Sequence, residues 1–317
     1  MNDTNTKSVT NTNDTKSDTS TFKEFDLWKD TYIKDQKYSS PSMIINGSRG
    51  SGKNFFLNWL IAEFGHNYFE TAYLFSKTAK LQDRKAYDFI PMSQRFDNFN
   101  EEKLREIITT QMNYVETARG MTLNGEIKKP KHILIILDDI ITDPKVRTST
   151  ALKDLYMTGR HLFICPVTLC HSLPGREGLG PLVRQNADFV ICFSPAAQYD
   201  RELIASRWLS MISIKEGREI CKQLTTTRYQ AMVIVASKQC DSRVYQDYVY
   251  YKIAKEAKKI VLNNKKSSME IDWGRANNPS KSKGFKLSIR TSNNLLDSIR
   301  LKAPDQVNEM LKNHSGT

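Results

Sequence analysis

An α/β fold with a mostly parallel central sheet and helices on both faces is predicted by three observations on these 317 residues. From Ser42 onward, short apolar runs alternate with stretches of helical periodicity. The runs are apolar along their whole length rather than at every second position, the pattern of strands covered on both sides. Between the first run and the first helix stands Gly47-Ser-Arg-Gly-Ser-Gly-Lys53-Asn54, a glycine-rich loop in a strand–loop–helix setting.

The elements follow in order. Residues 1–21 are almost entirely Asn, Thr, Ser, Asp and Lys. Such a composition buries too little apolar surface to offset ordering entropy, so this segment is read as a tail. Phe22, Phe25, Trp28, Tyr32 and Ile33 recur at near-helical spacing, and residues 22–40 are read as a short amphipathic lead-in helix. It packs on its own core in preference to a neighbouring subunit. The main domain, 41–261, opens with strand Met43–Asn46 and helix Asn54–Phe64, then strand Thr71–Ser76 and helix Glu101–Ala118. Further strands are expected at His132–Leu137, Leu162–Leu169, Asp188–Phe193 and Gln230–Ala236, with helices between, and an added strand or strand–helix junction at Asp247–Ile253. In residues 262–317 basic side chains such as Lys265, Lys266, Lys281, Lys286 and Arg290 face few acids, which reads as a flexible basic extension with a short helix around Asp305–Leu311.

A net charge of +12 favours a polyanionic partner such as nucleic acid, although a lysine-rich solvated surface produces the same excess. The five cysteines sit mostly in or beside apolar strands without paired ligand spacing. They are expected to be reduced, buried thiols in a reducing compartment, with no zinc site. The polar N-terminus and the lack of an apolar run of about twenty residues argue against a secretory signal or a membrane span.

The loop Gly47–Asn54 is a phosphate cradle. Gly47, Gly50 and Gly52 let successive N–H groups, including those of Ser48, Arg49 and Ser51, converge on a β-phosphate. Lys53 reaches the β/γ oxygens, and the following helix presents its positive end. Where this pattern usually ends in a hydroxyl that ligates Mg²⁺, the chain has Asn54, whose amide oxygen is also a hard ligand. Downstream, the apolar run His132–Leu137 ends in Asp138-Asp139. At that strand end Asp138 can hold Mg²⁺ through water, and Asp139 can polarise an attacking water as a shorter stand-in for glutamate. Gly159-Arg160-His161 precedes the next strand and His171 follows it, while Arg184 lies in Leu182-Val-Arg184-Gln-Asn186-Ala-Asp188. Arg160 and Arg184 are candidates to neutralise charge on a transferring phosphoryl group, and each also reads as a salt bridge or helix-end charge. His171 reads as a polar sensor of the γ-phosphate or as a core histidine bonded to backbone.

Together these motifs resemble the poxvirus-type genome-packaging ATPases of large DNA viruses, virophages and Polinton-like elements, within the FtsK/HerA class of ring motors. The resemblance spans roughly Ser42 to Ser237, and its specific part is Gly159-Arg160-His161 combined with Arg184-x-Asn186-x-Asp188. It implies a P-loop NTPase core of the additional-strand type with strand order 5-1-4-3-2. It also implies ATP and Mg²⁺ as cofactors and a homo-oligomeric ring, pentamer or hexamer, around double-stranded DNA. The ring would dock on a capsid or vertex protein in the host cytoplasm or viral factory, with virion association left open. Arg160 or Arg184 would be supplied to a neighbour's ATP. Asn54 stands where the family has Ser or Thr, and His171 where a glutamine sensor is common.

A second reading is a catalytically weak nucleotide-binding scaffold at a capsid or portal site, supported by Asn54. A third, a small-acceptor kinase, meets no arginine-rich lid. GTPase and ABC-type readings lack an [NT]-K-x-D or Ser-Gly-Gly-Gln run. For gripping DNA, Lys145, Arg147 and the stretch 265–290 are the basic candidates.

Overall fold

The computed structural model describes residues 22–33, 40–65, 68–80, 85–120, 131–140, 143–173, 179–194, 198–239, 244–260 and 262. The chain divides into two units, Met1–Lys265 and Lys266–Thr317, of which the second lies outside the described residues. The polar tail, the basic stretch 265–290 and the terminal helix expected at 305–311 therefore lie outside them too.

The first unit is organised around one eight-stranded sheet. In chain order the strands are β1 (Met43–Asn46), β2 (Phe69–Ser76), β3 (Arg95–Phe96), β4 (His132–Asp138), β5 (Ile164–Cys170), β6 (Phe189–Cys192), β7 (Gln230–Val235) and β8 (Val249–Ile253). They lie in the order β3-β2-β4-β5-β1-β6-β7-β8. Numbered among themselves, the parallel strands β1, β2, β4, β5 and β6 run 5-1-4-3-2, as the resemblance implies, and the complete sheet departs from that order in detail. β3 adds a short parallel edge at one side, while β7 and β8 continue the other side antiparallel. The segment Gln230–Ala236, apolar after its first residue, reads in the sequence as one of the parallel strands, whereas β7 is antiparallel. It is buried at every position because its neighbours and both layers cover it, and burial of that kind does not depend on strand direction.

Alternate residues of each strand feed two core layers. Ile44, Ile133, Ile135 and Leu137 face one layer, and Met43, Ile45, Leu134 and Ile136 face the other. Each such side chain, once removed from water, stabilises the fold by roughly 1.5–3 kcal/mol. The first layer is roofed by α2 (Glu101–Gly120), α4 (Thr150–Thr158), α6 (Gln198–Trp208) and α7 (Ile214–Thr225), which contribute Leu104, Leu155, Trp208 and Leu224. The second is roofed by α1 (Lys53–Phe64), through Phe56, Leu57 and Leu60. Helix starts follow local chemistry. The Ser213 hydroxyl accepts from the Glu216 N–H at 3.2 Å to begin α7, and Ser149 does the same for Leu152 at 3.1 Å to begin α4. The short helices α3 (Pro144–Thr148) and α5 (Pro181–Gln185) each open on proline, whose missing N–H costs nothing there.

The lead-in is not the helix that its aromatic spacing suggests. Over 22–33 it forms a bridge and a turn instead. The Phe25 N–H donates to the Tyr251 carbonyl at 2.9 Å, and the Tyr251 N–H donates to Lys23 at 3.2 Å, extending the sheet past β8. Phe22 and Phe25, three apart, would share one face of a helix, but in this extended stretch they enter opposite core layers. Asp26 then receives the Trp28 and Lys29 N–H groups at 3.1 Å, an Asx turn that diverts the chain. The segment packs on its own core, with the Trp28 indole donating to the Glu63 carbonyl at 2.9 Å. Residues 34–39 lie outside the described residues. The described cysteines, Cys165, Cys170, Cys192 and Cys221, are all buried thiols. No helix among the described residues is long and apolar enough to cross a membrane.

Candidate nucleotide site

The site lies at the carboxyl ends of the parallel strands. The loop Gly47–Asn54 leaves β1 there, with β5 on one side and β6 on the other. Gly47 is fixed by its N–H donating to the Cys170 carbonyl at 3.2 Å. A Cβ on Gly47 would stand 2.7 Å from both the Phe193 Cβ and the Ser51 Oγ, so no larger residue fits without moving the loop. Gly52, at φ 103°, turns the chain into α1 in a conformation that other residues rarely adopt.

Lys53 is buried and bends back over the loop, its Nζ donating to the Gly47 carbonyl at 2.7 Å and to the Ser48 carbonyl at 3.1 Å. Burial pulls the Lys53 ammonium below its usual range, and the nearby Asp138 and Asp139 carboxylates oppose that shift. Asp138 ends β4 buried, 3.4 Å from the Ser76 hydroxyl that donates to it from the end of β2. Asp139 is half exposed and sits at φ 56°, which swings the chain out of the sheet immediately after β4. Its N–H donates to the Leu169 carbonyl at 3.2 Å. Backbone of this kind persists where the surroundings hold it, often at functional sites.

His171 joins these parts. Its Nδ1 lies 3.2 Å from the Lys53 Nζ and 3.1 Å from the Gly47 carbonyl, and its Nε2 lies 3.5 Å from an Asp139 carboxylate oxygen. Nδ1 thus faces a donor, the Lys53 ammonium, and an acceptor, the Gly47 carbonyl, and its role follows the tautomer of the ring, while Nε2 faces Asp139. Lysine, histidine and aspartate therefore form one relay along the floor of the pocket. The cavity above measures about 600 Å³ and is lined by Arg49 to Phe55 together with Asp138, Asp139 and His171.

Loop, carboxylates and histidine, predicted separately, thus converge. Asn54 lines the same cavity as Asp138, so a carboxamide and a carboxylate face the space where a divalent cation would accompany phosphates. These two groups fit Mg²⁺, a hard ion that takes few protein ligands and completes its shell with water and phosphate.

Neither arginine lines this cavity. Arg160 precedes β5, which runs parallel to β1, so it stands at the opposite end of the strands from the loop. It is exposed there and borders a second cavity of about 460 Å³ with Ser42 and Asp188. Arg184 is turned inward, its Nη1 donating to the Leu173 carbonyl at 2.9 Å and to the Leu179 carbonyl. Asp188 fastens the start of β1, accepting from the Ser42 N–H at 2.8 Å and hydroxyl at 2.9 Å. Burial raises the Asp188 carboxyl, and the Ser42 bonds work against that rise.

Asp200 was not foreseen. From α6 its buried carboxylate accepts from the Leu173 N–H at 2.9 Å and the Ser172 hydroxyl at 3.2 Å, bracing with Arg184 the segment that carries His171. One acidic residue in a charged helix carries no sequence signal of such a role. Tyr229 was missed as well. Its ring edge comes 3.1 Å from where a Cβ would stand on Gly52.

Comparisons with known proteins bear on the family and on the fold. The uncharacterized protein 075L of Invertebrate iridescent virus 6 is 22% identical over 213 residues, covering 67% of this chain and 76% of that protein. Among solved structures, the pCW3 conjugation coupling protein TcpA, in monomer form with ATPγS, shares the fold at a TM-score of 0.50. It has 14% identity over 75% of this chain and 70% of its own. The genome-packaging NTPase B204 of Sulfolobus turreted icosahedral virus 2, in complex with AMPPCP, aligns at a TM-score of 0.46. It has 15% identity over 70% of this chain and 100% of its own. Residues 31–273, well over half of the sequence, match the family described as Poxvirus A32 protein, and the chain belongs to that family of P-loop packaging ATPases.

Proposed function

We propose that this ATPase translocates double-stranded DNA into a preformed viral capsid, working as a homo-oligomeric ring with ATP and Mg²⁺. The observation that carries the reading is the convergence of Lys53, Asp138, Asp139 and His171 on one cavity at the carboxyl edge of the sheet. Lys53, held by the Gly47 and Ser48 carbonyls, leaves them for the β/γ-phosphate oxygens when nucleotide enters. Asp138 and Asn54 would hold Mg²⁺, which would neutralise phosphate charge when bound. Asp139 orients water for in-line attack and accepts its proton. His171, between Lys53 and Asp139, couples the position of the one to that of the other.

Arg160, exposed at the far end of the strands, suits an arginine that acts on a neighbour's nucleotide across a subunit boundary. Arg184 is the alternative, although its bonds to Leu173 and Leu179 also fit a brace within its own subunit. The scaffold reading keeps one supporting observation, Asn54 in place of the compact hydroxyl that Mg²⁺ prefers.

Hydrolysis measured with and without double-stranded DNA separates these readings. Turnover that rises with DNA supports the motor. A folded protein that binds ATP and does not hydrolyse it under either condition supports the scaffold.

A further inference from the structure

A third cavity, about 420 Å³, adjoins the phosphate pocket on the β6 side and shares Arg49, Gly50 and Ser51 with it. Its far wall is the turn between α7 and β7, where Arg228 and Tyr229 stand. Tyr229 holds φ at 64°, a costly angle for an aromatic residue, which presents its ring to the phosphate loop at Gly52. Tyr229 as a residue remains 45% exposed beside the cavity that it lines. The Arg228 guanidinium lies over one face of that ring, 4.8 Å from its centroid, and leaves the other face for a planar group.

Three donors of that wall are committed elsewhere. The Thr225 hydroxyl donates to the Cys221 carbonyl at 2.7 Å, the Thr226 hydroxyl to Lys222 at 2.5 Å, and the Gln230 amide to Leu224 at 2.8 Å. A flat heterocycle bound here is gripped chiefly by its face.

We infer that Tyr229, flanked by Arg228, is the stacking shelf for the base of the nucleotide whose phosphates occupy the Gly47–Asn54 loop, and that the shelf accepts adenine and guanine alike. This rests on the reading of that loop as the phosphate site and adds a base-binding residue to it. Stacking on an aromatic ring tolerates any base, because every base has a π-face.

Calorimetric titration of the full chain with ATP, GTP and inorganic tripolyphosphate tests the inference. Tyr229→Gly removes the ring and suits the positive φ. Tyr229→Asn, also tolerant of that angle, guards against a folding defect in the first variant. Both variants are expected to bind ATP and GTP about tenfold or more weakly while tripolyphosphate binds as in the wild type. Tyr229→Phe should bind all three normally, and wild-type affinities for ATP and GTP should agree within roughly tenfold. Unchanged ATP binding in Tyr229→Gly and Tyr229→Asn would overturn the shelf alone. Equal losses for ATP and tripolyphosphate would do the same, by showing that the ring acts only as a prop for the loop. A wild-type preference for ATP beyond tenfold would overturn reading by the face. A wild-type protein that bound neither ATP nor tripolyphosphate would overturn the phosphate site along with the shelf.

Discussion

Lys53 and Asp139 occupy opposite ends of one short relay through His171, yet they are expected to fail differently when changed. Lys53→Ala removes the cation that follows the γ-phosphate, so turnover should fall to background in a protein that melts normally. Asp139→Asn keeps the shape of the side chain and removes its basicity. ATP binding should persist while turnover drops about 10²- to 10⁴-fold, the usual worth of a positioned base. Single-turnover assays beside equilibrium binding distinguish the two. Reduced binding with unchanged turnover per bound ATP would make Asp139 a metal ligand instead. His132 offers a residue-scale test of stability. It stacks on Tyr68 at 4.5 Å, and its Nδ1 lies 2.6 Å from the Ser40 hydroxyl, in a position where burial drives its pKa from 6.5 down to about 4. The folded state therefore prefers the neutral ring. Its contribution is complete above pH 6.5 and is lost as pH falls from there toward 4. Between pH 7.5 and pH 4.5 the wild type should lose on the order of 2–3 kcal/mol more than His132→Gln in urea unfolding. Equal losses would show that the ring is solvated when charged.

At the scale of elements, one close helix contact joins α6 to α7. Gly217 of α7 packs on Ala205 of α6, and a Cβ added there would meet the Ala205 Cβ at 2.7 Å. Helix propensity favours alanine over glycine by about 1 kcal/mol, whereas overpacking costs about 1–3 kcal/mol. The clash should win, because the Ala205 backbone is also only 3.2 Å away and a helix backbone does not yield like a side-chain tip. Gly217→Ala is expected to lower the urea midpoint by an amount worth about 1 kcal/mol. An unchanged or raised midpoint would mean that α6 and α7 slide apart freely. Such sliding would matter to the site, since α6 carries Asp200 and α7 leads into Arg228 and Tyr229.

At the scale of the whole molecule, Arg160 and the phosphate loop lie at opposite ends of the same strands. An arginine so placed contributes nothing to its own subunit's pocket. In the proposed ring, Arg160→Ala and Lys53→Ala proteins, each inactive alone, should partly restore hydrolysis when mixed, because some interfaces then pair an intact loop with an intact arginine. The recovered rate should peak at intermediate ratios and fade when either variant is in large excess. Mixtures that assemble and stay silent, for Arg160 and for Arg184 in turn, would place the arginine's action within one subunit or require every site of the ring to be intact.

The residues proposed to carry phosphate chemistry could be singled out in the sequence because their spacing is local. A glycine loop between strand and helix, and two aspartates ending an apolar run, are each held by backbone geometry within a few residues. The parallel core was legible for a similar reason, since burial on both faces leaves a continuous apolar run. What lay beyond reach depended on distant partners. The extended lead-in exists because Tyr251 offers it a sheet edge, and the reversal of β7 follows from which neighbour it pairs with. The meeting of His171 with Lys53 and Asp139, the brace from Asp200, and the approach of Tyr229 to Gly52 each join residues far apart in the chain. Only the sheet order and the closing of two layers around it bring them within hydrogen-bond or van der Waals range, because contacts of that kind are set by tertiary packing rather than by local propensity.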